Sequence, residues 1–254
     1  MVLQAREGRL TTSAAVPPPR VLVATAVPAE RDAVARAFPE PGRPVHGPGV
    51  SLHRTGGTLD LLAAGVGPAL AAASVAAALT AAGLRGTPYG LVVSAGIGGG
   101  FLPEAPVGSL VVSDRITAAD LGAETPDGFL PVTELGFGRI THVPPRSLVR
   151  EAVAATGARA GTVLTVSTVT GTAARAAALR ERHPRALAEA MEGFGVAEAC
   201  AAHGAAVLEV RAVSNPVGPR DRAAWRIGDA LAALTTAFGK LAPVLESWNS
   251  HDHP

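Results

Sequence analysis

Short apolar runs alternate with alanine-rich stretches of helical period along most of this 254-residue chain, and that alternation is what most restricts its fold. Residues 20–26 are a run of the length and apolarity of a buried strand, and residues 29–38 carry their charges on one side, as a surface helix does. The unit then recurs. Residues 59–64 end at Gly65-Val66-Gly67-Pro68, and 69–82 read as a helix of Ala, Leu and Val closed by Gly83. Further strands are expected over 89–95, 108–113, 162–166 and 206–213, and further helices over 173–181, 192–203 and 223–245. Together they predict a single α/β domain, residues 20–246, with a central, mostly parallel mixed sheet flanked by helices on both faces. Sheets of this kind bind ligands beyond the C-terminal ends of their strands.

The bulk composition excludes several partners. Hydrophobic residues make up 48% of the chain, enough for one sizeable core, and 22 Lys+Arg against 21 Asp+Glu leave a formal charge of +1. No one-signed surface for nucleic acid is expected, so the ligand is a small molecule. The single cysteine, Cys200, forms no disulfide framework and reads as a small buried apolar residue of a helix. With the histidines scattered, this predicts a reducing cytoplasm and no metal site. No run of about 18 apolar residues predicts a membrane span.

Residues 1–19 contain a short apolar stretch, but Arg6, Glu7 and Arg9 break it, and a disordered extension is expected there, as is a disordered tail over 247–254 with His251 and His253. Residues 118–145, with Asp120, Glu124, Asp127 and Glu134, form a long connection that either walls a pocket or is a solvated acidic loop. No cofactor is expected. Gly96-Ile97-Gly98-Gly99-Gly100 puts Phe101 at the third glycine of a dinucleotide fingerprint, Gly65-Val66-Gly67 puts Leu70 there, and no phosphate-binding P-loop motif occurs. What remains is glycine backbone able to approach a ligand closely, or a plain turn.

Two segments carry more specific chemistry. Ala190-Met191-Glu192-Gly193 opens the helix expected at 192–203, and Val210-Arg211-Ala212-Val213-Ser214-Asn215 closes the strand expected from 206. With the turn Ala26-Val27-Pro28-Ala29-Glu30-Arg31 and the glycine run, in this order and spacing, they resemble the nucleoside phosphorylase superfamily over about residues 21–241. The resemblance is closest to the methylthioadenosine/adenosylhomocysteine nucleosidase branch. Asn215 stands where that branch has an Asp, which makes the chain resemble the futalosine-cleaving nucleosidases of menaquinone biosynthesis.

The resemblance implies a role for each matching position. Glu30 would be the general base that activates water, with Val27 beside it. Gly96, Ile97 and Gly98 would lie beside the sugar, Ile97 replacing the usual Ser, while Val169 and Thr170 border the purine. Met191 would pack under the ribose, and Glu192 would accept from its two hydroxyls, as an acceptor-only carboxylate suits a diol. Ser214 and Asn215 would meet the base. A gapless count puts Trp225 against the 5′ substituent, with Arg220 or Arg222 near its carboxylate; water or Asp221 would supply a proton to the base, or the base would leave as a hydrogen-bonded anion. Relatives of this kind are commonly homo-oligomers.

An amide has one acceptor oxygen and two N–H donors, so Asn215 can accept from N7–H and donate to a 6-oxo group, which predicts a hypoxanthine-type base. Taken without the resemblance, Glu30 is equally a first-turn residue favoured by the helix dipole, Asn215-Pro216 a turn, and Trp225 a core anchor. Phosphorolysis is a competing activity, opposed by the absence of Arg and Lys from residues 91–101. An adenine-specific nucleosidase and a nucleoside-binding module without catalysis are the others.

Overall fold

The computed structural model describes residues 20–40, 42–47 and 50–248; the expected extension at 1–19 and the tail from 249, with His251 and His253, lie outside them. In chain order the elements are β1 (Arg20–Thr25), α1 (Pro28–Ala35), β2 (Arg43–Gly47), β3 (Val50–Arg54), β4 (Leu59–Ala63) and α2 (Pro68–Leu84). Then come β5 (Tyr89–Gly100), β6 (Leu110–Ala118), β7 (Gly122–Thr125), β8 (Gly128–Pro131), β9 (Thr141–His142) and α3 (Arg146–Thr156). The chain continues through β10 (Arg159–Thr165), α4 (Ala173–Arg182), β11 (Ala186–Ala190), α5 (Gly193–His203), β12 (Ala206–Pro216) and α6 (Ile227–Ser247).

Among the described residues, ten strands join one sheet in the order β11-β10-β6-β12-β5-β1-β4-β3-β2, with β9 beside β6. β1 pairs in parallel with β4 and β5, β5 with β12, and β10 with β6 and β11. The β12–β6 pair is antiparallel, as is a short β11–β5 pairing that closes one half of the sheet on itself. Alternation along β1 shows how the layers form: Val21 and Val23 pack into the core beneath α1, α3 and α6, while Leu22 and Ala24 enter the core beneath α2 and α5. No described helix is long and apolar enough to cross a membrane.

The predicted α/β layering is therefore present, with several shifted boundaries. The glycines after residue 95 do not leave the sheet: β5 continues to Gly100, because β12 runs beside it to Pro216 and β11 pairs with Gly99 and Gly100. Gly83 does not close α2, which runs to Leu84; the glycine that turns the chain is Gly86, at φ +69°. The helix expected from residue 223 starts at Ile227, since Asp221 caps a single 3-10 turn over Arg222–Ala224 and Trp225 is extended. At the other end, α6 includes Ser247 and Trp248 is buried in the core, so order extends past the expected boundary at 246.

Candidate active site

Glu30 is placed by the turn between β1 and α1. Val27 is the N-cap but has no side chain able to cap, so Glu30 Oε2 accepts from the backbone N–H groups of Ala26 (2.9 Å) and Val27 (3.3 Å). Its other oxygen, Oε1, accepts from Ile97 N–H at 2.9 Å. The carboxylate is thus oriented before any ligand arrives, and it is both a helix cap and a cavity-lining group. Burial pushes its pKa above the ordinary carboxylate value, against the lowering effect of Arg211 and the Ile97 hydrogen bond. Gly96 lies directly against this pair: a Cβ there would come within 2.6 Å of Glu30 Oε1 and 2.7 Å of an Arg211 guanidinium nitrogen.

Glu192 sits at the N-cap of α5, yet its side chain does not cap that helix; Thr165 Oγ takes the Phe194 N–H instead, at 2.9 Å. Glu192 Oε1 accepts from the N–H of Gly67 at 3.2 Å, and Oε2 pairs with Arg211 at 3.3 Å. Gly67 holds φ +89°, a conformation that turns its N–H toward the carboxylate and that side chains rarely adopt. Met191 lines the same cavity.

Strict alternation would send Ser214 and Asn215 to opposite faces of β12. A bulge between Val213 and Asn215, opposite Gly98 and Gly99, lets both line the cavity. Ser214 Oγ donates to Asn215 Oδ1 at 2.9 Å and Asn215 Nδ2 donates to Pro216 O at 3.0 Å, which fixes the amide's orientation. One acceptor site and one N–H of the amide remain for a ligand.

Beneath these groups lies Arg211, 1% exposed. Its guanidinium bonds Glu209 at 2.9 Å and Ser94 Oγ at 3.0 Å besides meeting Glu192. Burial works against its charge, but Glu209, Glu192 and Glu30 more than offset this and hold its pKa up. Glu209 is fully buried, its Oε2 has no hydrogen-bond partner among the described residues, and burial raises its pKa. Three carboxylates around one arginine make the cavity floor electronegative.

One cavity thus gathers Val27, Glu30, Ile97, Gly98, Val169, Met191, Glu192, Ser214, Asn215 and Trp225. The family model described as the phosphorylase superfamily matches residues 20–246.

The chain belongs to the phosphorylase superfamily.

Within this superfamily it is 79% identical over 232 residues to a futalosine hydrolase of Streptomyces coelicolor, covering 91% of this chain and 99% of that one. A futalosine hydrolase of Acidothermus cellulolyticus is 45% identical, over 87% and 89% of the two chains. Among solved structures, futalosine hydrolase of Helicobacter pylori superposes with a TM-score of 0.74 at 15% identity, covering 89% and 98%. A methylthioadenosine/adenosylhomocysteine nucleosidase of Colwellia psychrerythraea in complex with adenine gives 0.73 at 20%, covering 90% and 94%. Both share the fold of this phosphorylase-superfamily chain.

Five of the expected site residues do not line the cavity, among them Arg222, which is exposed in the 3-10 turn before α6. Gly96 lies under Glu30, and Thr170 is not a lining residue itself but donates its hydroxyl to Glu189, which is one. Asp221 is exposed and spends its carboxylate on the N–H of Ala223, so it is not at hand to protonate a base. Arg220 holds its guanidinium 5.6 Å from the centre of the Trp225 ring and is not among the residues that line the cavity. The 118–145 connection contributes no wall; its Asp120 instead accepts the N–H of Ser167 at 2.7 Å, holding the loop that carries Val169.

The sequence reading missed Arg211, Glu209 and Glu189. A signal for the first two was present: Glu209 and Arg211, two apart within an apolar strand, must share one buried face and therefore pair. Glu189 was missed because β11 itself was not predicted.

Proposed function

We infer that the protein hydrolyses the N-glycosidic bond of futalosine, releasing hypoxanthine and dehypoxanthine futalosine, with residues 20–246 as the catalytic domain. The observation that carries this is the meeting of Glu30, Glu192 and Asn215 on one cavity in a chain so similar to named futalosine hydrolases. The C1′–N9 bond breaks with its electron pair moving into the base, and positive charge develops on the ribose. The electronegative floor made by Glu30, Glu192 and Glu209 stabilises that charge. Water attacks C1′, and Glu30 takes its proton. Glu192 accepts from the ribose hydroxyls, Met191 packs beneath the sugar, and Gly98 and Ile97 border the attacking water.

Water supplies the proton that N7 gains as the bond breaks; Asn215 accepts from the resulting N7–H and donates to the 6-oxo oxygen of the departing base, while the Val169 backbone borders the purine. Trp225, steadied by Arg220, faces the carboxyphenyl ketone at the 5′ end. Phosphorolysis is disfavoured by the same floor, because the one buried cation near it among the described residues, Arg211, is already enclosed by carboxylates that repel a phosphate. The enzyme works as a homo-oligomer in the cytoplasm, within menaquinone biosynthesis; light scattering in solution tests the assembly.

The deciding assay follows free base from futalosine, inosine and methylthioadenosine, each with and without phosphate. Hypoxanthine released from futalosine without phosphate is the expected result. Adenine from methylthioadenosine as the main product, or a phosphate requirement, would sink the proposal.

A further inference from the structure

Glu189 lines the cavity, yet the reaction as derived gives it nothing to do. It lies in β11 opposite Gly99 of β5, and the neighbour of Gly99 on its other side is Asn215 of β12. Three adjacent strands thus set Glu189, Gly99 and Asn215 in one row. Gly99 keeps the row open, since a Cβ there would sit 2.9 Å from Val217 and 3.3 Å from Asn215 Nδ2. Two polar side chains therefore flank a gap in which a flat ligand can meet both.

Glu189 is 4% exposed, and its carboxylate is held by one residue: Oε1 accepts from Thr170 N–H at 2.8 Å, and Oε2 accepts from the Thr170 hydroxyl. Both donors are neutral. A carboxylate offers about four acceptor sites, so each oxygen keeps one unused. Val169, whose backbone is assigned to the purine edge, immediately precedes Thr170 and also lines the cavity. A buried carboxylate with acceptor capacity to spare is costly until a donor completes it. A 6-oxopurine carries such a donor at N1–H, whereas a 6-aminopurine presents a lone pair at N1.

We propose that Glu189 reads N1 of the base: its carboxylate accepts N1–H of a 6-oxopurine and rejects the N1 lone pair of a 6-aminopurine, selecting the substrate together with Asn215. This rests on the assignment of the protein as a 6-oxopurine nucleosidase. Burial raises the Glu189 pKa, the Thr170 bonds and Arg175 of α4 lower it, and Asp120 after β6 raises it. Protonated Glu189 becomes a donor and suits the 6-aminopurine, so selectivity for the 6-oxo substrate rises with pH as Glu189 ionises. Glu30 and Glu192 share the cavity, but they act on both substrates alike and cancel in a ratio.

The test is the ratio of kcat/KM for futalosine to that for its 6-amino analogue, followed from acid to neutral pH. In the unaltered enzyme the ratio climbs with pH. In Glu189→Gln, whose amide offers both a donor and an acceptor to N1, the ratio drops about tenfold at neutral pH and no longer varies. Thr170→Val removes the hydroxyl donor but keeps the backbone N–H, and moves the inflection to higher pH. An unchanged ratio and profile in Glu189→Gln overturns the proposal; should that variant not fold, an unmoved inflection in Thr170→Val does so. Unaltered enzyme that releases no hypoxanthine from futalosine refutes the underlying function instead, which separates the two failures.

Discussion

Glu30 shows how one side chain can cap a helix and line a cavity together. It replaces the cap that Val27 cannot supply, and the same three backbone donors that it satisfies hold its carboxylate toward the cavity. Glu30→Gln keeps the size and part of the capping, so we expect kcat to fall about 10²–10⁴-fold with little change in thermal midpoint. Because burial raises its pKa and the base must be ionised, activity is lost as pH falls through a value above the ordinary carboxylate value of about 4.3. An acid limb at or below that value in a pH–rate profile would contradict the role. Asn215→Asp makes a second prediction. It removes the N–H donor to a 6-oxo oxygen and supplies an acceptor for a 6-amino group, so kcat/KM should shift about ten- to a hundredfold toward the 6-amino analogue of futalosine. Base-release assays on the matched pair measure this directly.

At the scale of elements, the site depends on strands approaching more closely than side chains allow. Gly98 of β5 passes Glu189 of β11 so tightly that a Cβ would lie 2.8 Å from the Glu189 carbonyl oxygen. Gly98→Ala must push these strands apart, and we expect a loss of about 1–3 kcal/mol in urea unfolding together with reduced kcat. Stability equal to the parent would show that the sheet closure is looser than described. The bulge at Ser214 belongs here too, since it alone brings two successive residues to the ligand side. In the sequence the Gly96–Gly100 run was visible as backbone able to meet a ligand, but not as strand. Its pairing partners, β11 and the end of β12, come from more than eighty residues away in the chain. The segment before α6 failed for a related reason: Arg226 N–H donates to Ser214 O at 2.8 Å, a tertiary bond that holds the chain extended where local propensity favours helix.

The whole molecule carries an electrostatic cost at its centre. Glu30, Glu189 and Glu209 all have pKa values raised by burial, so the folded state binds protons that the unfolded chain has released. Each therefore subtracts stability as pH rises from the ordinary carboxylate value toward the raised one. Glu209→Gln deletes one such contribution. Its unfolding free energy relative to the parent should move in the variant's favour as pH rises above about 4.3, as denaturant titrations at several pH values would reveal. The sequence by itself determined the α/β layering, because strand and helix periods are local, and through the family resemblance their order and spacing singled out Glu30, Met191, Glu192, Ser214 and Asn215, which the fold brings to one cavity. Only the tertiary structure decided that Arg211 and Glu209 lie beneath them, that Glu189 faces Asn215 across Gly99, and that Asp221 stays outside. Which buried charges meet depends on strand register and sheet closure, and neither is encoded in any one stretch of chain.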